Sequence, residues 1–422
     1  MFQQESTFHR PTTENYINNM KTLAVKTEAD WKLFHQVPRL VYQNDPNWIA
    51  PLEGEIQSIF DPEENKAFQH GTAQAFVLLD QEQPVGRIAA FVDYQRLESH
   101  TIREGGIGFF ECLPEAAYAK KLFQAAEDFL AGFDVQVIDG PINFGQRDKF
   151  WGLLVRGFYP ALYQENYNPP YYEAFFEENG FQAFEQILTY KGESQNIPFQ
   201  RLGAIAERLK QRNPMYVRAF SYKEVERFAR DFTEVYNASF GHFEHFNPLS
   251  EAIVKKMMEQ AKPILDPNLA CIAYYEDKPA GFVVLYPDIN PLIRHAKGKL
   301  NWRTIPQFLL KKRMAKTFNA KGMGFGIHPD YQSKGIFALL INYLSSDRNV
   351  KRYPKMFLAT IRAHNHEIRS IYAKLNVDVD RVHVAYRKAV DPSVSIQPFE
   401  FIHFEEPDPS LSKKAFSAKT MA

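Results

Sequence analysis

Cysteine is nearly missing from this chain: Cys112 and Cys271 are its only two in 422 residues, far apart and without metal-ligand spacing. No disulfide framework can be built from them, and a reducing, cytoplasmic setting is the reading they suit. A dominant charge is missing too: Lys plus Arg total 50 and Asp plus Glu total 50, so net charge points to no partner. No stretch reaches the ~18 to 20 apolar residues that a membrane span needs. Residues 1–21 are polar and hold no apolar core of a secretion signal. What the chain does have is 45% hydrophobic and 24% charged residues, the balance of a soluble globular protein. Its 36 Phe predict cores rich in rings. The length suffices for two ordinary domains.

The pattern along the chain divides it into a loose tail over 1–21, an αβ region over 22–193, a junction over 194–213, a second αβ region over 214–390 and a Pro-rich tail over 391–422. The junction holds an expected amphipathic helix, Phe199–Arg212, with Leu202, Ile205, Ala206 and Leu209 on one face. In the tail, Phe399–Phe404 has the composition of a strand. The two αβ regions repeat one order of elements. Ala75–Leu79 and Ile88–Val92 read as a hairpin whose turn ends Pro84-Val85-Gly86; Ala270–Tyr275 and Phe282–Tyr286 read the same way around Pro279-Ala280-Gly281. A short strand and a helix follow in each: Gly106–Phe110 before Glu115–Leu130, and Gly324–Ile327 before Lys334–Leu344. Then come another strand and a helix opened by an Asn, Asn168 or Asn365, and closed at Gly180 or Asn376, residue types that tolerate a left-handed C′ position. Five matches in one order indicate two copies of one fold.

The chemistry concentrates in the second copy. In Gly326-Ile327-His328-Pro329-Asp330-Tyr331-Gln332-Ser333-Lys334-Gly335-Ile336 a strand ends, the chain turns and a helix begins. Free N–H groups at a helix start bind anions, a Gly there admits a phosphate close to the backbone, and Lys334 adds a charge. The first copy has Phe110-Glu111-Cys112-Leu113-Pro114-Glu115 at this place, with no Gly and two carboxylates that would repel a pyrophosphate.

The stretch Gln332-Ser333-Lys334-Gly335-Ile336-Phe337 resembles the pyrophosphate loop of the GNAT acyltransferase superfamily, Arg/Gln-x-x-Gly-x-Gly/Ala, and departs from it at Phe337. Asn365 to Asn376 resembles that superfamily's Asn-x-x-Ser-x-x-x-Tyr-x-x-x-Gly-Phe segment, with Ser370 one place nearer the Tyr and Asn376 for the Gly. Together with Gly140-Pro141-Ile142-Asn143-Phe144 and Tyr167-Asn168-Pro169-Pro170-Tyr171-Tyr172, the order of elements looks like a bacterial family of tandem GNAT-like proteins, to which bacterial ceramide synthases look similar. The resemblance covers about Trp31 to Val390. It implies an α/β (α+β) fold of two GNAT-like domains with mixed, mostly antiparallel sheets flanked by helices. It also implies acyl-CoA as co-substrate, without a metal, held by Ile327, Gln332, Ser333, Lys334, Gly335, Ile336, Phe337 and Asn365. Tyr372 is then the general acid for the departing thiolate, or else a core ring with a bonded hydroxyl. Phe176 stands at the matching place in the first copy, which reads as degenerate.

Two further stretches bear on the acceptor. Gly241-His242-Phe243-Glu244-His245-Phe246 follows an expected helix, Tyr222–Ala238, and offers His242, Glu244 and His245 as bases for an amine that arrives protonated. The run Asp139–Tyr172, dense in Gly, Pro, Asn and rings, reads as a shaped loop in which Asn143, Tyr167, Asn168 and Tyr171 line a substrate, or else as a rigid packed loop. Between them, Asn290–Lys321 holds nine Lys or Arg and no acid among apolar residues, the pattern of contact with an anionic membrane or lipid, or of a solvated flap. No nucleic-acid module pattern is present. The expected activity is transfer of an acyl group from acyl-CoA to an amine, sphingoid-like if the resemblance extends that far. A non-catalytic acyl-CoA or lipid binder and a tandem-GNAT aminoacyl transferase are the alternatives.

Overall fold

The structure, a computed structural model, describes residues 20–99, 102–145, 149–242, 248–397 and 399–403. Its strands in chain order are β1 (Met20–Ala24), β2 (Gly71–Asp80), β3 (Gln83–Asp93), β4 (Glu104–Cys112), β5 (Val137–Gly140), β6 (Leu153–Arg156) and β7 (Gln182–Glu193). Then follow β8 (Met215–Ala219), β9 (Ala270–Tyr275), β10 (Lys278–Pro287), β11 (Asn319–Ile327), β12 (Lys355–Phe357), β13 (Ile361–Arg362) and β14 (Asp378–Ala389).

Both hairpins close on the same turn. Gln81 and Glu82 (φ 47° and 63°) join β2 to β3, and Glu276 and Asp277 (φ 49° and 61°) join β9 to β10. Positive φ at both central residues is the type I′ geometry, whose twist matches that of the flanking strands. The turn therefore precedes Pro84 and Pro279 rather than ending on the Gly that follows each.

Alternate residues of each hairpin feed opposite faces. On one face, Ala75, Val77 and Ala89 pack with Phe34 and Val37 of the helix Glu28–Val41, while Ile272, Phe282 and Val284 pack with Phe228 and Phe232 of the helix Val225–Phe240. On the other, Leu78, Ile88 and Ala90 meet Leu122 and Phe123 of Ala116–Leu130, while Cys271, Val283 and Leu285 share a cluster with Leu339 and Leu340 of Ile336–Leu344.

All strands join one sheet, in the order β1-β2-β3-β4-β5-β14-β7-β12-β11-β10-β9-β8, with β6 beside β14 and β13 beside β7. The order contains an exchange. The last strand of the second copy, β14, runs antiparallel to β5 of the first, and β7 of the first runs antiparallel to β12 of the second. The two long strands pair with each other between them. Each copy thus completes its sheet with the other's final strand.

Several local expectations change. Phe399–Ile402 is not a strand; the side-chain amide of Gln186 takes both backbone bonds of Ile402, donating to its oxygen (3.0 Å) and accepting from its N–H (3.1 Å). Asn168 does not open a helix, because two Pro follow it and the helix starts at Tyr172; its amide bonds to the N–H and oxygen of Leu154 in β6. The helix Phe199–Arg212 buries Ala206 but leaves Ile205 exposed.

Candidate functional site

In the second copy β11 and β12 run parallel only from Asn319 to Lys321. Their pairing ends there; the next residue, Gly322, still lies against the backbone of Leu358 and Ala359 with no room for a side chain. β11 runs on to Ile327, half-buried, and the chain makes a 3₁₀ turn, Pro329–Lys334, that His328 caps through Asp330 N–H. Gly335 follows in the left-handed region (φ 81°) and opens the helix Ile336–Leu344, whose first N–H groups no side chain caps. Gln332, Ser333 and Lys334 are exposed, with the Lys334 ammonium 5.9 Å from the Tyr275 ring centre. Ile336 is buried against Gly281 of the sheet, and Phe337 sits edge-on to Phe325 at 5.8 Å. A side chain on Gly335 would strike Leu209 of the junction helix, which packs across this turn. That contact, with the positive φ, fixes Gly here for structural reasons as well.

The remaining sequence candidates are placed as follows. Asn365 caps its helix, accepting from Ile368 N–H at 3.1 Å. Tyr372 is buried beside the parting of the strands, between Tyr190 and Phe325, and its hydroxyl donates to Ala359 O at 3.1 Å. Burial pushes that hydroxyl well above its ordinary range. His242 is exposed just past the helix Val225–Phe240; Glu244 and His245 lie outside the described residues. Tyr171 donates to Cys112 O at 2.8 Å, and Asn143 is buried.

Tyr167 and Asn168 line a cavity in the first copy, where β4 and β5 part. It measures about 780 Å³ with the open space at its mouth and is lined by Glu55 and Ile56 of the helix Glu53–Ile59, by Pro141 and Phe150 of the loop after β5, and by Asn290 from the second copy. Its floor is ionic. Arg87 and Glu111 face each other across β3 and β4, 3.5 Å apart, and Glu111 also accepts from Tyr42 (2.7 Å) and Tyr172 (2.9 Å). Glu165 meets Lys321 at 3.1 Å and Arg381 at 3.6 Å; burial pushes its carboxyl up, and these cations more than offset that. Glu55 lies at the mouth with Gln164 at 3.3 Å, and burial pushes its carboxyl up to about 7 against the pull of Lys149.

Sequence reasoning missed this cluster. Glu111 was expected at a turn, repelling phosphate; it is on β4, buried and neutralised by Arg87. Opposite charges at facing positions of two adjacent strands were the available signal. Lys321 was counted with the basic surface, but it is buried on β11 with its ammonium on Tyr163 O (2.7 Å) and Glu165.

The basic stretch itself divides. Its first part is fastened to the first copy: Arg294 donates to Pro46 O, Glu53 N–H to Gly298 O (2.8 Å), and Arg39 to Lys297 O (3.2 Å). Its second part is a short exposed helix, Thr304–Met314, anchored by buried Phe308. Six of the eleven exposed large hydrophobics among the described residues lie in this helix or just before it: Leu300 and Trp302, then Ile305, Leu309, Leu310 and Met314. Lys312 turns back to Pro263 O and so belongs to the packing.

Two αβ units in one mixed sheet, each with strands that part after the fourth and a helix that follows, give this chain a tandem GNAT-like fold. Its fold matches a tandem GNAT protein from the clavulanic acid biosynthesis pathway (TM-score 0.50, 10% identity, 89% of this chain and all of that one). It also matches a glucosamine N-acetyltransferase region of a fungal multi-domain β-N-acetylglucosaminidase (TM-score 0.51, 12% identity, 87% of this chain and 38% of that one). In sequence it is similar to the bacterial ceramide synthase of Caulobacter vibrioides (29% identity over 288 residues, 67% of this chain and 73% of the relative). Protein YghO of Escherichia coli is 26% identical over 305 residues, 72% of this chain and 77% of that one. No family model matches the chain. Among the described residues no helix is long and apolar enough to cross a membrane, and no group of three or more His, Cys, Asp or Glu is placed to hold a metal.

Proposed function

We propose that the protein is an N-acyltransferase that takes its acyl group from acyl-CoA and transfers it to an amine, with the donor bound by the second unit. One observation carries this reading: the uncapped helix start at Gly335 stands beside the only one of the two strand partings that is followed by a Gly-containing turn. Backbone N–H groups of Ile336 and Phe337 and the exposed side chains of Gln332, Ser333 and Lys334 would hold the pyrophosphate. The thioester would lie between the parted strands. There the amine nitrogen bonds to the acyl carbon, the C–S bond breaks, and the sulfur leaves with the electron pair. A base takes one proton from the ammonium before attack, the nitrogen gives up a second as the amide forms, and an acid, for which Tyr372 is the candidate, protonates the thiolate. Holding both reactants in one geometry supplies much of the rate.

The finer reading is a lipid-like amine met at a membrane surface, with the protein otherwise cytoplasmic. The similarity to a protein named ceramide synthase supports a long-chain, sphingoid-like acceptor. The exposed apolar helix, set among Lys299, Arg303, Lys311, Arg313 and Lys316 with no acid in the stretch, suits an anionic bilayer.

Calorimetric titration with CoA tests the donor site. One site per chain is expected, and Ser333→Glu, on an exposed turn residue, lowers affinity about ten-fold or more by setting a charge against the pyrophosphate. Two equivalent sites, or unchanged affinity in the variant, would overturn the assignment. Flotation with phosphatidylglycerol vesicles tests the surface: Leu309→Glu with Leu310→Glu abolishes binding while transfer from a short acyl-CoA continues. Equal binding by parent and variant leaves the helix a solvated flap.

A further inference from the structure

The cavity of the first unit has no part in holding the donor, yet it is built with a definite chemistry. Its deep charges are settled within the protein: Glu111 by Arg87, Tyr42 and Tyr172, and Glu165 by Lys321 and Arg381. Glu55 differs. Its described neighbours are the Gln164 amide at 3.3 Å and the more distant charge of Lys149, and it makes no ion pair within 4 Å among the described residues. Tyr163, Gln164, Asn166 and Asn290 also line the cavity, the amide nitrogens of the two Asn already donating to Gly152 O and Ala161 O, with an apolar and aromatic wall from Trp48, Ile49, Phe109 and Phe150.

We propose that this cavity binds a primary ammonium that carries a neighbouring hydroxyl group and an alkyl chain. Glu55 takes the ammonium, the amide and phenol groups take the hydroxyl, and the wall of Trp48, Phe109 and Phe150 takes the first carbons of the chain. An anion is disfavoured because every described cation at the floor already has its carboxylate. An uncharged apolar molecule would leave the half-buried Glu55 carboxylate with only the Gln164 amide as partner, which costs free energy. Trp48 stacks on Tyr42 (4.9 Å, 14° between planes), so that wall is rigid before any ligand arrives.

The placement also relates the cavity to transfer. Lys321, which holds the Glu165 wall, is the last β11 residue paired with β12 before the donor strands separate. The wall of the cavity is thus tied through Glu165 and Lys321 to the strand that borders the other unit's opening. Its assignment as acceptor site rests on the acyltransferase reading; the ammonium site itself does not.

Calorimetry with 2-amino-1-octanol as probe, and 1,2-octanediol as its uncharged counterpart, tests the site on the full chain. The amine binds the parent; Glu55→Gln, which keeps the shape and removes the charge, weakens it about ten-fold or more and leaves CoA affinity unchanged. The diol binds parent and variant alike, more weakly than the amine binds the parent. A second variant, Ala161→Leu, fills the far wall and lowers affinity for both probes. Should the amine fail to bind, or bind Glu55→Gln as it does the parent, the cavity is a water-filled gap between units and the inference falls, whatever CoA does. Should CoA fail to bind while the amine still depends on Glu55, the site stands and the donor reading falls.

Discussion

After its fourth strand each unit turns into a helix, and the two turns are made of different material. In the second unit Gly335, left-handed, presents the uncapped start of Ile336–Leu344 to exposed Gln332, Ser333 and Lys334. In the first, Leu113-Pro114-Glu115 leads into Ala116–Leu130 with no Gly and with a carboxylate at the N-cap. The exposed Glu115 side chain makes no cap bond, but its negative charge beside the helix start disfavours an outside anion. The same division appears deeper. Phe176 of the first unit sits in a closed cluster with Phe110, Phe123, Phe181 and Tyr386, whereas Tyr372 of the second keeps a hydroxyl beside parting strands. The first unit thus keeps the fold without a Gly-containing turn, and a cavity of about 780 Å³ lies within it.

The exchange of β7 and β14 sets the limit of that comparison, because neither unit is complete without the other's last strand. Residues 20–198 and 199–403, expressed apart, are each expected to aggregate or remain unfolded, since each exposes a long unpaired strand and an open sheet edge. Coexpressed, they assemble into one folded complex. Circular dichroism and gel filtration decide this; cooperative unfolding of residues 20–198 alone would break the account.

A smaller effect distinguishes the two ring sites. Phe176→Tyr places a hydroxyl in an apolar cluster with no acceptor provided, and is expected to cost about 1–3 kcal/mol in denaturant unfolding. Tyr372→Phe removes one satisfied hydroxyl and leaves Ala359 O unpaired, a loss of about 1 kcal/mol. If Tyr372 is the acid, the same variant lowers kcat with little change in donor affinity. Full activity leaves Tyr372 a core ring.

The smallest effect is electrostatic and belongs to the first unit. Burial lowers the His35 pKa to about 3, assisted by Arg87, Arg39 and Lys299. The folded pKa lies below the unfolded value near 6.5, so the unfolded chain takes up the proton first. The associated stability is complete above about pH 6.5 and drains as pH falls. Between pH 7 and pH 5 the parent should lose about 2 kcal/mol through this residue. His35→Phe, which keeps a ring beside Trp31, should abolish that component, read as the parent-minus-variant difference at each pH. Taking the difference removes opposing terms such as Glu55, raised to about 7, and Asp288, raised to about 6 by burial, whose stability is lost as pH rises.

Much of the architecture was legible beforehand. Alternating apolar residues marked both hairpins, and Gly180 and Asn376 take the left-handed conformations their residue types suggested (φ 84° and 53°). The Gly335 turn was legible because it depends on contiguous residues, Gln332 to Phe337. The ionic floor was not, because Glu111, Arg87, Glu165, Lys321 and Arg381 come from distant parts of the chain, and a charged residue read singly is assigned to solvent. The basic stretch misled for the same reason: composition could not separate Lys321, buried, from Lys311, exposed.

The sequence by itself determined the elements, their repetition and the chemical asymmetry of the two turns, since each follows from neighbouring residues and local backbone preference. Only the tertiary structure decided which strand completes which sheet. β7 and β14 are both twelve-residue strands with buried centres, and nothing in either names its neighbour. Pairing is settled by which edge the rest of the chain leaves open, and that same choice brought Lys321 and Arg381 to Glu165.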